Sequence, residues 1–146
     1  MTLKNHLIVF SKVPRYDIVK KRLAVDIGKI EALRFYNNIL RKNLRLLGRD
    51  LRWECWLALS QEKNQFRNDF DKRWHVFFQG NGDLGRKMKN CLLSVPSGNV
   101  VLVGGDIPAL SQSDIFTAFK KLKSYDLVIG PSLDGGFWLI GVSGIL

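Results

Sequence analysis

The stretch N-V-V-L-V-G-G-D-I-P-A-L-S at residues 99–111 and, after a charged amphipathic segment, D-L-V-I-G-P-S-L-D-G-G-F-W-L-I-G-V at residues 126–142 decide the fold. The apolar run 100–103 stops at Gly104-Gly105-Asp106, the pattern of a buried strand delivering a carboxylate to its C-terminal edge. Open α/β sheets place ligands at that edge. A second apolar run, 127–129, ends in Gly130-Pro131 and leads to Asp134-Gly135-Gly136, which sets another carboxylate on a turn before a third run, 137–142. Each acid alone reads as a turn former, since Asp106 precedes Ile107-Pro108 and Asp134-Gly135 is a common hairpin dipeptide. Two apolar strands that each end in Gly plus Asp exceed what turn-making requires, so the pair points to a polar site. Gly104, Gly105, Gly135 and Gly136 there let the backbone approach a ligand closely.

Toward the amino terminus, residues 6–10 read as the first strand and 11–17 as a loop, which places Lys12 and Arg15 just beyond the strand's C-terminal edge. Asp17 can cap a helix over 18–27, whose Lys20, Lys21 and Arg22 gather near the same loop. Cations at a helix amino terminus oppose the macrodipole, which points to an anion nearby. After Gly28, residues 29–47 read as a long amphipathic helix with Ile30, Leu33, Tyr36 or Asn37, Leu40, Leu44 and Leu47 at the helical period. Arg34, Arg41, Lys42, Arg45 and Arg49 take other faces, and Phe35 and Tyr36 are expected in the core. Residues 53–59 and 74–79 read as strands, with a short helix over 63–70 between them. The turn 80–85 leads into a helix over 84–93 with Asp83 as its N-cap, and its glycines leave backbone N–H groups open to a phosphate or sugar oxygen. Ser111 can cap a helix over 112–123 with Ile115, Phe119 and Leu122 on its apolar stripe. The order β-α-α-β-α-β-α-β-α-β-β predicts an α/β fold, a Rossmann-like, mainly parallel sheet flanked by helices.

The 146 residues, 46% of them hydrophobic, suit one domain with a single core. No apolar stretch approaches the roughly 20 residues of a membrane span, and the amino terminus lacks a signal peptide's features, so a cytoplasmic protein is expected. Cys55 and Cys91 read as buried thiols, with neither a disulfide nor zinc ligation expected. His75 lies inside an apolar strand and reads as a structural histidine, and His6 has no acid or nucleophile partner by spacing; neither supports a Ser-His-Asp or Cys-His site. The net charge of +10 is uneven, because residues 1–52 hold 13 Lys and Arg against 4 Asp and Glu, while residues 53–146 hold 10 against 9. That asymmetry suits a phosphate-rich ligand, an anionic surface or nucleic acid, while most of the individual lysines read as a solvated helix face. No nucleic-acid motif accompanies it, so nucleic acid is not the expected partner.

G-G-D-I-P-A-L with G-P-S-L-D-G-G-F-W-L-I-G, F-S-K-V-P-R with V-K-K-R-L at residues 10–15 and 19–23, and G-D-L-G-R-K-M at residues 82–88 together resemble the bacterial selenodomain-associated transferase family of glycosyltransferase-like proteins. The resemblance implies a GT-A, nucleotide-diphospho-sugar transferase type of fold in one domain over residues 1–146. It also implies metal-dependent transfer of a sugar from a nucleotide-diphospho-sugar, with Mg²⁺ or Mn²⁺ as cofactor. By the same resemblance Asp106 is the candidate metal ligand and Asp134 the candidate catalytic carboxylate, orienting an acceptor hydroxyl or acting as its base. Lys12, Arg15, Lys20 and Arg22 would hold phosphates, and Gly82, Asp83, Gly85, Gly105, Gly135 and Gly136 would border the substrate.

Three departures accompany the resemblance. Lys21 stands where the family has threonine, and Arg86-Lys87 replaces an acid followed by arginine, which moves the arginine by about 100° around the helix. Relatives of that family also continue past the strand that ends near Leu146, so a truncated member is expected, with the final strand 137–142 exposed as an edge for pairing with a second copy. A nucleotidyltransferase of the same fold, similar to the molybdenum cofactor or 2-phospholactate guanylyltransferases and consuming a nucleoside triphosphate, is the alternative reaction. A degenerate, non-catalytic binding module is the alternative to both.

Overall fold

The computed structural model describes residues 4–11, 28–60 and 72–144. Six strands form one sheet: β1 (Asn5–Ser11), β2 (Glu54–Leu59), β3 (Trp74–Phe78), β4 (Asn99–Gly104), β5 (Leu127–Pro131) and β6 (Phe137–Val142), in the order β3-β2-β1-β4-β6-β5. The first four are mutually parallel, and β6 runs antiparallel to both β4 and β5. Helices α1 (Lys29–Gly48), α2 (Leu84–Ser94) and α3 (Gln112–Lys121) pack on the two faces. The Rossmann-like α/β expectation therefore holds. The helices expected over 18–27 and 63–70 lie outside the described residues.

Alternation along the strands builds the three layers. Leu7 and Val9, with Leu57, Leu59, Val101, Val103 and Leu139, point to one face, where Tyr36, Leu40, Leu44 and Leu47 of α1 and Ile115, Ala118 and Phe119 of α3 bury them. Ile8, Ala58, Val100 and Leu102 point the other way onto Cys91 of α2 and the following Val95. Both cysteines are buried and outside any disulfide, and desolvation pushes the Cys91 thiol up to about 11, so it stays protonated and unreactive at neutral pH.

The carboxyl end of α1 is pinned by side chains. The Trp74 and Trp53 indoles donate to the Leu44 and Leu47 carbonyls at 3.0 and 3.1 Å, and Gln112 Nε2 donates to the Leu46 carbonyl at 3.0 Å. Two of these groups belong to a turn whose carbonyls have few helical partners. Gly48 admits this arrangement, because a Cβ there would stand 2.6 Å from Trp74 Nε1.

Three expectations need correcting. Strand 137–142 is not an edge, because β6 is paired on both sides, and the edges are β3 and β5. A hairpin that folds β5 back onto the outside of β6 produces this order. Phe35 and Ile30 are exposed rather than core, since Ala32, Tyr36, Leu40, Leu44 and Leu47 define the buried stripe and Phe35 falls a quarter-turn away. His75 is exposed on edge strand β3, with its ring against Trp56 at a centroid distance of 4.7 Å.

His6, by contrast, is buried at the start of β1. Its Nδ1 accepts from the Trp56 indole at 3.1 Å, so a neutral ring carries its proton on Nε2. Burial lowers its pKa from 6.5, against smaller upward pulls from the Ser97 backbone and Glu54. The unfolded chain then binds more protons than the folded one just below pH 6.5. Stability is accordingly expected to be full above that pH and to fall as pH drops from about 7 toward 5. Urea unfolding across that range should show a shallower slope in His6→Gln than in the native protein.

Candidate active site

Strand direction places three loops on one edge of the sheet. β4 ends at Gly104 and turns through Gly105-Asp106, while Val103 lies opposite Leu139 of the antiparallel β6. The β5–β6 turn, 132–136, must therefore emerge beside Gly105, where Pro131 pairs with Phe137. Asp106 and Asp134 thus leave the same edge, separated at the base by one or two strand spacings, roughly 5–10 Å. β3 ends at the same edge, and the turn after it carries Gly80, Gly82 and Asp83 into α2, roughly 14 Å from β4 across three spacings. β1 also ends there, at Ser11, so the chain that carries Lys12, Arg15, Lys20 and Arg22 departs from this edge. Those four residues lie outside the described residues.

The edge is held together by two buried amides absent from the sequence-based site. Gln79 Nε2 donates to the carbonyls of Ser11 and Ala58, both at 2.8 Å, while its backbone N–H donates to the Leu59 carbonyl at 2.9 Å. One residue thereby ties the ends of β1, β2 and β3. Asn43 Nδ2, reaching from α1, donates to the carbonyls of Gly105 at 3.0 Å and Ile107 at 2.9 Å, the two residues that flank Asp106. The Gly105 N–H donates to the Phe10 carbonyl at 3.0 Å, and the Ser11 and Tyr36 hydroxyls are hydrogen bonded at 2.8 Å. A polar residue within an apolar helical stripe was the sequence signal for Asn43, and a polar residue closing an apolar strand was the signal for Gln79.

Each acid sits in its own frame. Asp106 is half-buried, and its turn is fixed from both sides by Asn43. Gly105 is required by close approach, because a Cβ would lie 2.8 Å from Leu40 Cδ1 and 3.1 Å from Val9 Cγ1. Asp134 is exposed, and its Oδ1 accepts from Ser132 Oγ at 2.6 Å and from Gly136 N–H at 3.1 Å. The Ser132 bond, then the Gly136 bond, lowers the Asp134 pKa below the ordinary carboxylate value. Gly135 sits at φ +93° with open space around it, so its role is conformational.

Asp83 is the N-cap of α2, accepting from the Arg86 N–H at 2.8 Å. Gly82 has φ +113°, and a Cβ there would meet Arg86 Cδ at 2.6 Å, so the Arg86 stem folds back over the glycine. Arg86 itself is exposed. Gly85, in the first turn of α2, leaves open space: a Cβ there would have only Asp83 Oδ1 nearby, at 3.7 Å. Among the described residues no three His, Cys, Asp or Glu converge to form a metal cage. Mg²⁺ commonly takes only one or two carboxylates together with ligand oxygens and water, so a site for it needs no such cage.

Residues 43–146 match the family described as "uncharacterized protein conserved in bacteria", DUF2064. The chain belongs to this family. Among solved structures, the DUF2064 chain is similar to a putative nucleotide-diphospho-sugar transferase from Desulfovibrio desulfuricans, with 27% identity and a TM-score of 0.88. That similarity covers 99% of this chain and 65% of the other, so the DUF2064 chain spans just under two thirds of that protein's length. It is also similar to 4-diphosphocytidyl-2C-methyl-D-erythritol synthase from Anaerococcus prevotii, with 11% identity and a TM-score of 0.67 over 98% of this chain and 72% of that one. A further structure of an enzyme of that name gives 10% identity and a TM-score of 0.56, over 98% and 78% of the two chains. No curated protein sequence matches the chain. The fold is thus of a transferase type. No helix among the described residues is long and apolar enough to cross a membrane.

Substitutions separate the roles of these residues. Asn43→Ala, which frees two carbonyls beneath Asp106, is expected to lower unfolding free energy by about 1–3 kcal/mol. The exposed Asn38→Ala on the same helix should stay within about 0.5 kcal/mol of the native protein. Gly105→Ala should lose about 1–3 kcal/mol by overpacking, to be read in the same urea titrations.

Proposed function

We propose that this DUF2064 protein is a transferase acting on a nucleotide-diphospho-sugar, with the C-terminal edge of the sheet as its donor site. The observation that carries this reading is the β4–β6 register, which brings the Asp106 and Asp134 turns to one edge together with the glycine-bearing turn before α2. The likeness to the Desulfovibrio protein supports a nucleotide-sugar as donor, and the sequence resemblance to the selenodomain-associated transferases agrees with it.

In this reading Asp106 holds one side of a Mg²⁺ or Mn²⁺ ion. The ion, when bound, supplies Lewis-acid neutralisation of the diphosphate as it leaves. Asn43 keeps the Asp106 turn rigid, so the carboxylate meets its ligand without prior ordering. Lys12, Arg15, Lys20 and Arg22 are assigned to the phosphates, and the exposed Gly82 and Gly85 give the donor close access to backbone, whereas Gly105 and Gly136, whose backbone groups are bonded within the protein, serve by holding the Asp106 and Asp134 turns. Asp83 serves the site through the α2 amino terminus that it caps, and Gly135 serves it by shaping the Asp134 turn.

Asp134 is assigned to orient an acceptor hydroxyl. Its lowered pKa keeps it ionised and makes it a weak proton acceptor, which favours hydrogen-bonded positioning over general-base work. The similarity in fold to 4-diphosphocytidyl-2C-methyl-D-erythritol synthase keeps nucleotidyl transfer as the second reading, distinguished by its product.

Thermal-shift screening against nucleotide-sugars and nucleoside triphosphates, with and without Mn²⁺, tests both. A nucleotide-sugar at about 100 times its Kd should raise Tm by roughly 5–10 °C in the presence of Mn²⁺. Asp106→Ala should lose that shift, whereas Asp134→Asn should keep it and lower turnover. Release of nucleoside diphosphate marks sugar transfer, and release of pyrophosphate from a triphosphate marks nucleotidyl transfer. A native protein whose Tm answers to none of these ligands would end the proposal.

A further inference from the structure

The outer face of α1 is cationic toward its carboxyl end. At about 100° per residue, Arg34, Asn38, Arg41, Arg45 and Arg49 fall within a sector of roughly 80°, with Lys42 on its flank. The buried residues Ala32, Tyr36, Asn43 and Leu47 lie opposite. Arg34 is paired with Glu31 at 3.1 Å, while Lys42, Arg45 and Arg49 are exposed. From Arg34 to Arg49 the face runs roughly 22 Å. Exposed apolar side chains border it: Ile30 is 58% and Phe35 47% exposed on its two flanks, and Leu51 is 87% exposed in the turn that follows.

Cations alone would suit any polyanion. The apolar border narrows the choice. Ile30 and Leu51 have no stacking surface to offer a base, and Phe35 is the one exposed aromatic of α1, so the series of aromatic platforms used on single strands is missing. At a bilayer surface the same side chains fit together, with aliphatic and aromatic groups entering between headgroups while Arg and Lys meet the anionic phosphates and carboxylates.

We propose that this face of α1 seats the protein on an anionic lipid surface. The interaction is peripheral and reversible, and it does not depend on the transfer reaction proposed above. Each cation near such a surface contributes about a fivefold gain in partitioning, so removing three should cost on the order of a hundredfold.

The experiment is co-sedimentation of the full chain with vesicles of equal parts phosphatidylglycerol and phosphatidylcholine, and with vesicles of phosphatidylcholine alone. The native protein is expected to bind the anionic vesicles only, with binding falling as salt rises. The triple variant Lys42→Gln, Arg45→Gln, Arg49→Gln should lose about a hundredfold in partitioning. Phe35→Ser should weaken binding several-fold without changing its salt dependence. All three cations and Phe35 are exposed, so the variants' Tm values are expected to match the native protein's. Equal binding to neutral vesicles, native-like binding by the triple variant, or absence of native binding would overturn the proposal. So would tighter binding to an RNA oligonucleotide than to the anionic vesicles at the same ionic strength, which would assign the face to nucleic acid.

Discussion

The carbonyl of Ser11 accepts two hydrogen bonds, from the Ser60 N–H at 3.1 Å and from Gln79 Nε2 at 2.8 Å. That double acceptance expresses the constraint under which the whole site edge is built. Parallel strands diverge into loops at their carboxyl ends, where ladder partners run out while the backbone is still buried. An unpaired buried carbonyl is expensive, so another donor must reach it. Gln79 serves the β3-β2-β1 half of the edge, and Asn43 serves the β4 half. Each satisfies two carbonyls with one NH₂ group, and each therefore fixes the place where a loop begins.

These clamps make the edge a rigid frame for loops. Gly105 shows the same constraint sterically, being wedged against Leu40, Val9 and Ser11 with its carbonyl held by Asn43 and its N–H bonded to Phe10. The strand end of the Asp106 turn is consequently as well packed as the core. A turn held this way has little backbone ordering left to lose.

Much of the fold was legible because its signals are local. Apolar runs ended by glycine gave the strands, Asp83 and Ser111 gave helix starts through their side-chain caps, and the β-α alternation gave a parallel sheet. Strand order was not legible in the same way. The sequence shows that 127–131 and 137–142 form a hairpin, but only the packing of both strands against β4 decides which of them lies inside. Leu139 is buried between the layers while Leu127 and Ile129 remain exposed, and that difference puts β6 inward. The α1 stripe failed at Ile30 and Phe35 for a related reason, since a few apolar residues off the main face fit a helical period almost as well as those on it. Gln79 and Asn43 were missed because their function is to bond distant carbonyls, and sequence spacing carries no trace of a partner 62 or 68 residues away.

Asp134 shows why a turn role and a site role need not compete. Read from sequence, its position before Gly135-Gly136 admits either. In the structure the Ser132 and Gly136 bonds that fix the turn also stabilise the ionised carboxylate, because both donors favour the charged form. The turn therefore adds to the preference for the charged form of a carboxyl that is already ionised near neutral pH. A carboxylate held this way at a hairpin tip can accept a hydrogen bond from an incoming hydroxyl, yet it gains little from taking the proton. The geometry that stabilises the loop thus also limits the chemistry, since a carboxylate with a lowered pKa suits hydrogen-bonded positioning better than proton abstraction.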